Sequence, residues 1–221
     1  VISGPFESFY QSSIQHPLLL WIANLLGTAA ALLALRSQAG AGASRLRRFI
    51  LFWALISMLD AWLSANWIMG LGRLDGVWSS VVPFCFVWAG DFRIFLAMEL
   101  FAAGFPEKPA QIRWWRPVLA CFVVPLLAGL LTRGQEARVL FFVYEALFLG
   151  MITLYGQVTG TAQNPAARRT QKLSWIFYSL WVSADGLILF LPTPYRDLGF
   201  ALRVFPNAVY YGAFGWVLSR R

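Results

Sequence analysis

The chain has 221 residues, 59% hydrophobic and 17% aromatic but only 13% charged, against about 25% charged in an ordinary soluble domain. With a mean hydropathy of +0.62, this composition predicts an integral membrane protein forming one domain over residues 1–221, with too little connecting sequence for an internal ATPase, kinase or DNA-binding module. The net charge of +8 does not point to nucleic acid, because the arginines flank apolar segments, where cytoplasmic loops of membrane proteins carry them.

The chain opens VISGPFESFYQSSIQHP, with Glu7 and no Lys or Arg. A secretory signal needs a basic leader, so the apolar run that follows is expected to be a retained helix. At about 1.5 Å per residue a crossing helix needs about 20 apolar residues. Seven segments qualify: 17–35, 49–71, 78–104, 114–132, 138–158, 172–192 and 199–218. The expected fold class is therefore all-α, a seven-helix transmembrane bundle. Between the segments lie turn-forming stretches such as AGAGAS at 39–44, FPEKP at 105–109 and TAQNPAARR at 161–169. One alternate set of loops carries twelve basic residues and the other four. That asymmetry predicts an outside N-terminus and a cytoplasmic C-terminus, in a setting that suits a bacterial inner membrane.

On the second segment Ser57, Asp60, Ser64 and Trp67 share one helical face, with Asn66 at its edge. The third contains FVWAGDFRIFLAMELF, residues 86–101, an apolar run interrupted by Asp91, Arg93 and Glu99. Asp91 and Arg93 stand about 200° apart around a helix, so each needs a partner on another helix; Asp60 or Asp185 suits Arg93. Pro83, Pro125 and Pro206 are expected to bend the third, fourth and seventh segments. Trp88, Trp175, Tyr178 and Trp181 fall deep enough to serve packing. Glu145 lies in the fifth segment and Asp185 in the sixth, followed by Gly186. The seventh carries Arg203, Asn207, Tyr211, Gly212 and Gly215, and the glycines invite close helix approach.

Five of the ten acidic residues, Asp60, Asp91, Glu99, Glu145 and Asp185, thus fall inside apolar segments, with only Arg93 and Arg203 to balance them when Arg116, Arg138 and Lys172, at segment ends, are counted with the loops. One arginine per carboxylate leaves three unbalanced, each of which has to be protonated, hydrated or bound to a cation. The expected site is an acidic cavity. Asp60 and Asp91 lie near its centre as proton or cation acceptors tuned by Arg93, and Glu145, Asp185 and Asn207 form an outer vestibule. Ser57, Ser64, Asn66, Glu99, Arg203 and Tyr211 contribute secondarily.

Trp175-Ile176-Phe177-Tyr178 has a W-x-x-Y pattern, and Phe214-Gly215 follows near the chain's end. In these residues the last two segments resemble those of the microbial rhodopsins. The resemblance places Tyr211 where the retinal lysine stands and Asn207 where a counterion does. The lysines, Lys108 and Lys172, lie in loops, so covalent retinal on the last helix is excluded. No cofactor is expected otherwise. Cys85 and Cys121 read as small core residues, and with His16 as the one histidine there is no ligand set for zinc, haem or an iron–sulfur cluster.

The sequence contains no G-x-S-x-G, H-E-x-x-H or D-x-x-x-D motif, and no catalytic residues are assigned. The leading expectation is a small transporter or ligand-sensing protein for a proton, a cation or a small cationic or amphipathic ligand. A sensor would need a separate signalling partner. Two further classes fit the composition: an accessory subunit packing against partner membrane chains, pigments or lipids, and an intramembrane hydrolase using Asp91 and Asp185. Membrane lipids are the expected surroundings in every case.

Overall fold

The computed structural model describes residues 4–12, 14–63, 78–107, 111–192 and 195–219. Over these residues the chain is helical: α1 (Pro5–Tyr10), α2 (Gln15–Ala34), α3 (Ala41–Leu63), α4 (Trp78–Ala102), α5 (Trp115–Leu131), α6 (Ala137–Thr159), α7 (Pro165–Phe190) and α8 (Tyr195–Ser219). A 3₁₀ turn, Thr161–Gln163, links α6 to α7. The seven long helices correspond to the seven apolar segments, but two, α3 and α7, begin about two turns earlier than hydropathy suggests. α3 starts at Ala41 just after Gly40, whose φ of 99° lets the chain turn into it. α7 starts at Pro165, where the Asn164 side chain accepts hydrogen bonds from the amides of Ala166 at 2.9 Å and Ala167 at 3.2 Å. An Asn cap followed by Pro is a helix start whatever the polarity of the next turn. Arg45, Arg47, Arg48, Arg168, Arg169 and Lys172 consequently lie in helices rather than in loops.

The short α1 escapes a reading by hydropathy because it is one and a half turns long. It is held from outside: the Glu7 amide donates to Asp197 Oδ1 at 3.0 Å, and the Glu7 carboxylate pairs with Arg196 at 2.7 Å, both partners at the start of α8.

Among the described residues three helices, Gln15–Ala34, Arg138–Thr159 and Pro165–Phe190, are long and apolar enough to cross a membrane; Trp115–Leu131 is apolar but shorter. α4 and α8 are interrupted by charges, and the rest of the second apolar segment, with Ser64, Asn66 and Trp67, lies outside the described residues.

Each of α2 to α7 packs on the next helix and α8 packs back on α2, closing a ring; α4 also touches α6 and α7, and α8 touches α3. α4 is thereby drawn into the middle, and every residue from 93 to 101 is buried. A helix so nearly enclosed carries its side chains, charged ones included, into the interior. Large apolar side chains point outward around the ring, among them Leu26 on α2, Leu55 on α3, Leu126 on α5, Leu154 on α6 and Phe205 on α8. Trp175 joins them at 48% exposure, on the outer face of α7 and not in the packed interior expected for it. Pro125 and Pro206 lie within α5 and α8, which continue through them.

The tightest seam is between α2 and α8. A Cβ placed on Gly27 would run into the carbonyl of Gly212, while one on Gly212 or Gly215 would come within 3.2 Å of the carbonyls of Ala23 or Gly27. Backbone meets backbone here, with no side chain free to yield. Gly27→Leu should therefore lower the unfolding midpoint in detergent through overpacking of about 1–3 kcal/mol, whereas Gly150→Leu, with nothing within 4 Å of its Cβ position, should leave it unchanged. Gly186 does not mark a close approach, since its Cβ position meets only Phe142 at 3.8 Å; Gly199 does so instead, 2.8 Å from the Ala184 carbonyl.

Candidate functional site

Asp91, Arg93 and Glu99 leave the enclosed α4 in three directions, and each finds a different neighbour. Arg93 points at α3. Its Nη2 lies 2.7 Å from Asp60 Oδ2 and its Nη1 donates to Ser57 Oγ at 2.7 Å. From α8, the Tyr211 hydroxyl donates to the same Asp60 oxygen. The guanidinium also lies 5.0 Å from the Tyr211 ring centre and 5.6 Å from that of Trp53, which stacks on Phe214 at 3.9 Å. Arg93 is thus held by a carboxylate, a hydroxyl and two ring faces, an environment that suits a planar, weakly hydrated cation. Gly90 makes room for the group, because a Cβ there would lie 3.2 Å from Asp60 Oδ1. Of the two partners the sequence allowed for Arg93, the fold selects Asp60.

Asp91 points the other way, toward α7, where its Oδ1 accepts a hydrogen bond from the Tyr178 hydroxyl at 2.5 Å. Its Oδ2 is buried without a hydrogen-bond partner. Among the described residues no arginine stands within ion-pair distance of it.

Glu99, two turns further along α4, faces α6 and the stretch before α5. Its Oε2 accepts from the Tyr155 hydroxyl at 3.0 Å, its Oε1 from the Arg113 amide at 3.4 Å, and Arg116 lies 3.7 Å away. It lines a pocket of about 340 Å³ with Gln111, Arg113, Arg116 and Thr159. Between Glu99 and Asp91 the interior is aromatic: Tyr155 meets Phe95 at 4.8 Å, Phe95 meets Phe148 at 5.1 Å, and Phe148 meets Tyr178 at 4.3 Å between ring centres.

A second cluster gathers around Arg203. This arginine donates to Asp185 Oδ1 through Nε at 2.7 Å and to Asp185 Oδ2 through Nη2, while Nη2 also reaches Glu145 Oε1 at 2.8 Å and Nη1 the Tyr10 hydroxyl at 2.9 Å. Its guanidinium sits 4.4 Å from the Trp181 ring centre. Arg138 adds a second cation 3.3 Å from Asp185 Oδ1. Nearby, Asn207 Nδ2 lies 3.4 Å from His16 Nε2, and His16 packs beside the Tyr10 ring at 4.9 Å. Glu145, Asp185 and Asn207 are all buried. The outer vestibule expected of them is a closed, paired cluster, because Arg203 turns inward and Tyr10, carried by α1, covers it. His16, one residue before the first apolar segment, belongs to the same cluster.

The charge balance differs from one arginine per carboxylate and two arginines in all. Arg138 and Arg116 start near helix ends but reach inward, since an arginine side chain spans more than a helical turn. Asp60, Glu99, Glu145 and Asp185 each then have a guanidinium within 4 Å. Of the five, Asp91 alone has none among the described residues. Neither described pocket is lined by Asp60, Asp91, Glu145 or Asp185. Tyr10, Tyr155 and Arg138 are site residues that sequence reasoning missed; Tyr155 and Tyr178 stand on helices facing α4, and the signal would have been a tyrosine opposite each unbalanced acid.

The chain matches no protein-family model, no curated protein and no solved structure.

Proposed function

We propose that the protein is a seven-span integral membrane protein that handles protons, as a small proton-coupled transporter or a proton-responsive sensor, with Asp91 as the proton-accepting group. The observation that carries this reading is that Asp91 is a buried carboxylate with one oxygen on Tyr178 and, among the described residues, no partner for the other oxygen and no guanidinium within ion-pair distance. An interior carboxylate of that kind can change protonation without breaking an ion pair, whereas Asp60, Glu145 and Asp185 cannot. The proton fits better than a metal ion because, among the described residues, no group of three His, Cys, Asp or Glu side chains is placed to hold one.

Support for seven spans comes from the seven long helices α2 to α8, their outward apolar side chains, and the grouping of basic residues at one end of the chain's alternate turns. By that asymmetry the N-terminus is outside and the Glu99 pocket faces the cytoplasm. Glu99 and Asp91 are then two acidic stations about 12 Å apart along α4, with the rings of Phe95 and Phe148 between them.

The test is proton movement into vesicles that contain the purified protein and enclose a pH-sensitive dye. Asp91→Asn should abolish protein-dependent acidification while leaving the unfolding midpoint near that of the wild type. Unchanged flux in Asp91→Asn, or loss of folded protein in both Asp91→Asn and Asp91→Glu, would give Asp91 a structural role instead.

A further inference from the structure

We infer that a slot floored by α4, between α3 and the segment that leads into α5, holds one anionic phospholipid, its phosphate on Arg48 and an acyl chain laid against α4. The inference rests on the membrane reading above and is independent of the proton reading. α3 and α5 both pack on α4 but, among the described residues, not on each other. α4 therefore floors an open-sided slot of about 430 Å³, within the size range of ligand sites. The floor is Phe92, Leu96 and Leu100, one face of α4 running about 12 Å along its axis. Phe52 forms the α3 wall. Beyond the floor residue Phe92, Trp88 stacks on its ring at 5.1 Å and meets Phe122 of α5 at 6.1 Å.

Charge is confined to the other end. Arg45 and Arg48, one turn apart on α3, line the slot there together with the exposed ring of Trp114. Arg45 is engaged by the carbonyls of Pro106 and Glu107, each at 2.8 Å. Arg48 is exposed and has no hydrogen bond or ion pair among the described residues. A free guanidinium and an indole at one end of a greasy slot reproduce the order of a phospholipid: anionic phosphate, interfacial layer, hydrocarbon. A water-soluble phosphate compound would leave the apolar floor unused. The slot opens sideways between helices whose outward side chains are leucines, so a chain enters from the lipid phase.

The purified full chain in neutral detergent can be titrated with phosphatidylglycerol, phosphatidylcholine or glycerol 3-phosphate, with bound lipid read by native mass spectrometry. Phosphatidylglycerol should bind roughly fivefold more tightly than phosphatidylcholine, as one arginine at a lipid headgroup implies. Arg48→Glu should bring the two lipids to parity, Arg48→Lys should keep the preference, and Phe52→Asp should weaken both. Arg48→Gln gives the same comparison if charge reversal prevents folding. Equal binding of the two lipids to the wild type, or a preference that survives Arg48→Glu, would overturn the assignment. Competition by glycerol 3-phosphate at the concentration of the lipid would make this a soluble phosphate site. Failure of the membrane reading shows separately, as a chain that stays in solution without detergent.

Discussion

Replacing Arg93 by methionine should destabilise the protein by about 3–5 kcal/mol, the range for removing one partner of a buried ion pair. The guanidinium is what lets the Asp60 carboxylate sit in the interior, 2.7 Å from Nη2. Without it the carboxylate keeps one hydroxyl partner, Tyr211, and loses its counter-charge. The loss comes from the stranded charge more than from the missing contact, so neutralising the partner should restore most of it. Asp60→Asn combined with Arg93→Met should unfold closer to the wild type than Arg93→Met alone. Arg93→Lys should not be equivalent, since a lysine cannot bond Ser57 and Asp60 through separate nitrogens while lying against the rings of Trp53 and Tyr211. Unfolding of the four proteins in one detergent completes the cycle. Additive effects of the two substitutions would mean that Arg93 and Asp60 do not depend on each other.

Arg203→Met should be at least as damaging. One guanidinium there ties α6, α7, α8 and α1 together through Glu145, Asp185 and Tyr10. The two carboxylates are not stranded equally. Asp185 retains Arg138 at 3.3 Å, whereas Glu145 has no other ion-pair partner among the described residues. Glu145→Gln should therefore rescue Arg203→Met better than Asp185→Asn does. The reverse order of rescue in the unfolding midpoints would mean that Arg138 does not reach Asp185 in the working protein.

The long helices were legible in the sequence because each is an apolar run with turn-formers at its ends. Polarity misplaced the starts of α3 and α7, where Gly40 and the Asn164-Pro165 pair set the boundary and arginines continue the helix. The divergence of Asp91 and Arg93 followed from helical geometry alone, which fixes direction around an axis but not which helix lies there. That Tyr178 meets Asp91, and Tyr155 meets Glu99, depends on α4 being pulled inside the ring, a consequence of packing that no local pattern records. Charge balance is hidden in the sequence for a related reason: a residue's place along the chain fixes its Cα, and the guanidiniums of Arg116 and Arg138 act several ångströms from theirs. Gly212 stands out in the sequence as a point of close approach, but nothing local marks Gly27 as its partner across the seam. A seam of glycines can be seen from either helix, but the pairing appears only when both are in place.

Infrared titration of the carboxyl stretch in the reconstituted protein, wild type against Asp91→Asn, addresses the proton assignment at its source. A buried carboxyl signal that changes with pH in the wild type and vanishes in Asp91→Asn, but persists in Glu145→Gln, is the predicted result. A titrating signal untouched by Asp91→Asn, or no titrating buried carboxyl at all, would contradict the assignment of Asp91 as the proton-accepting group.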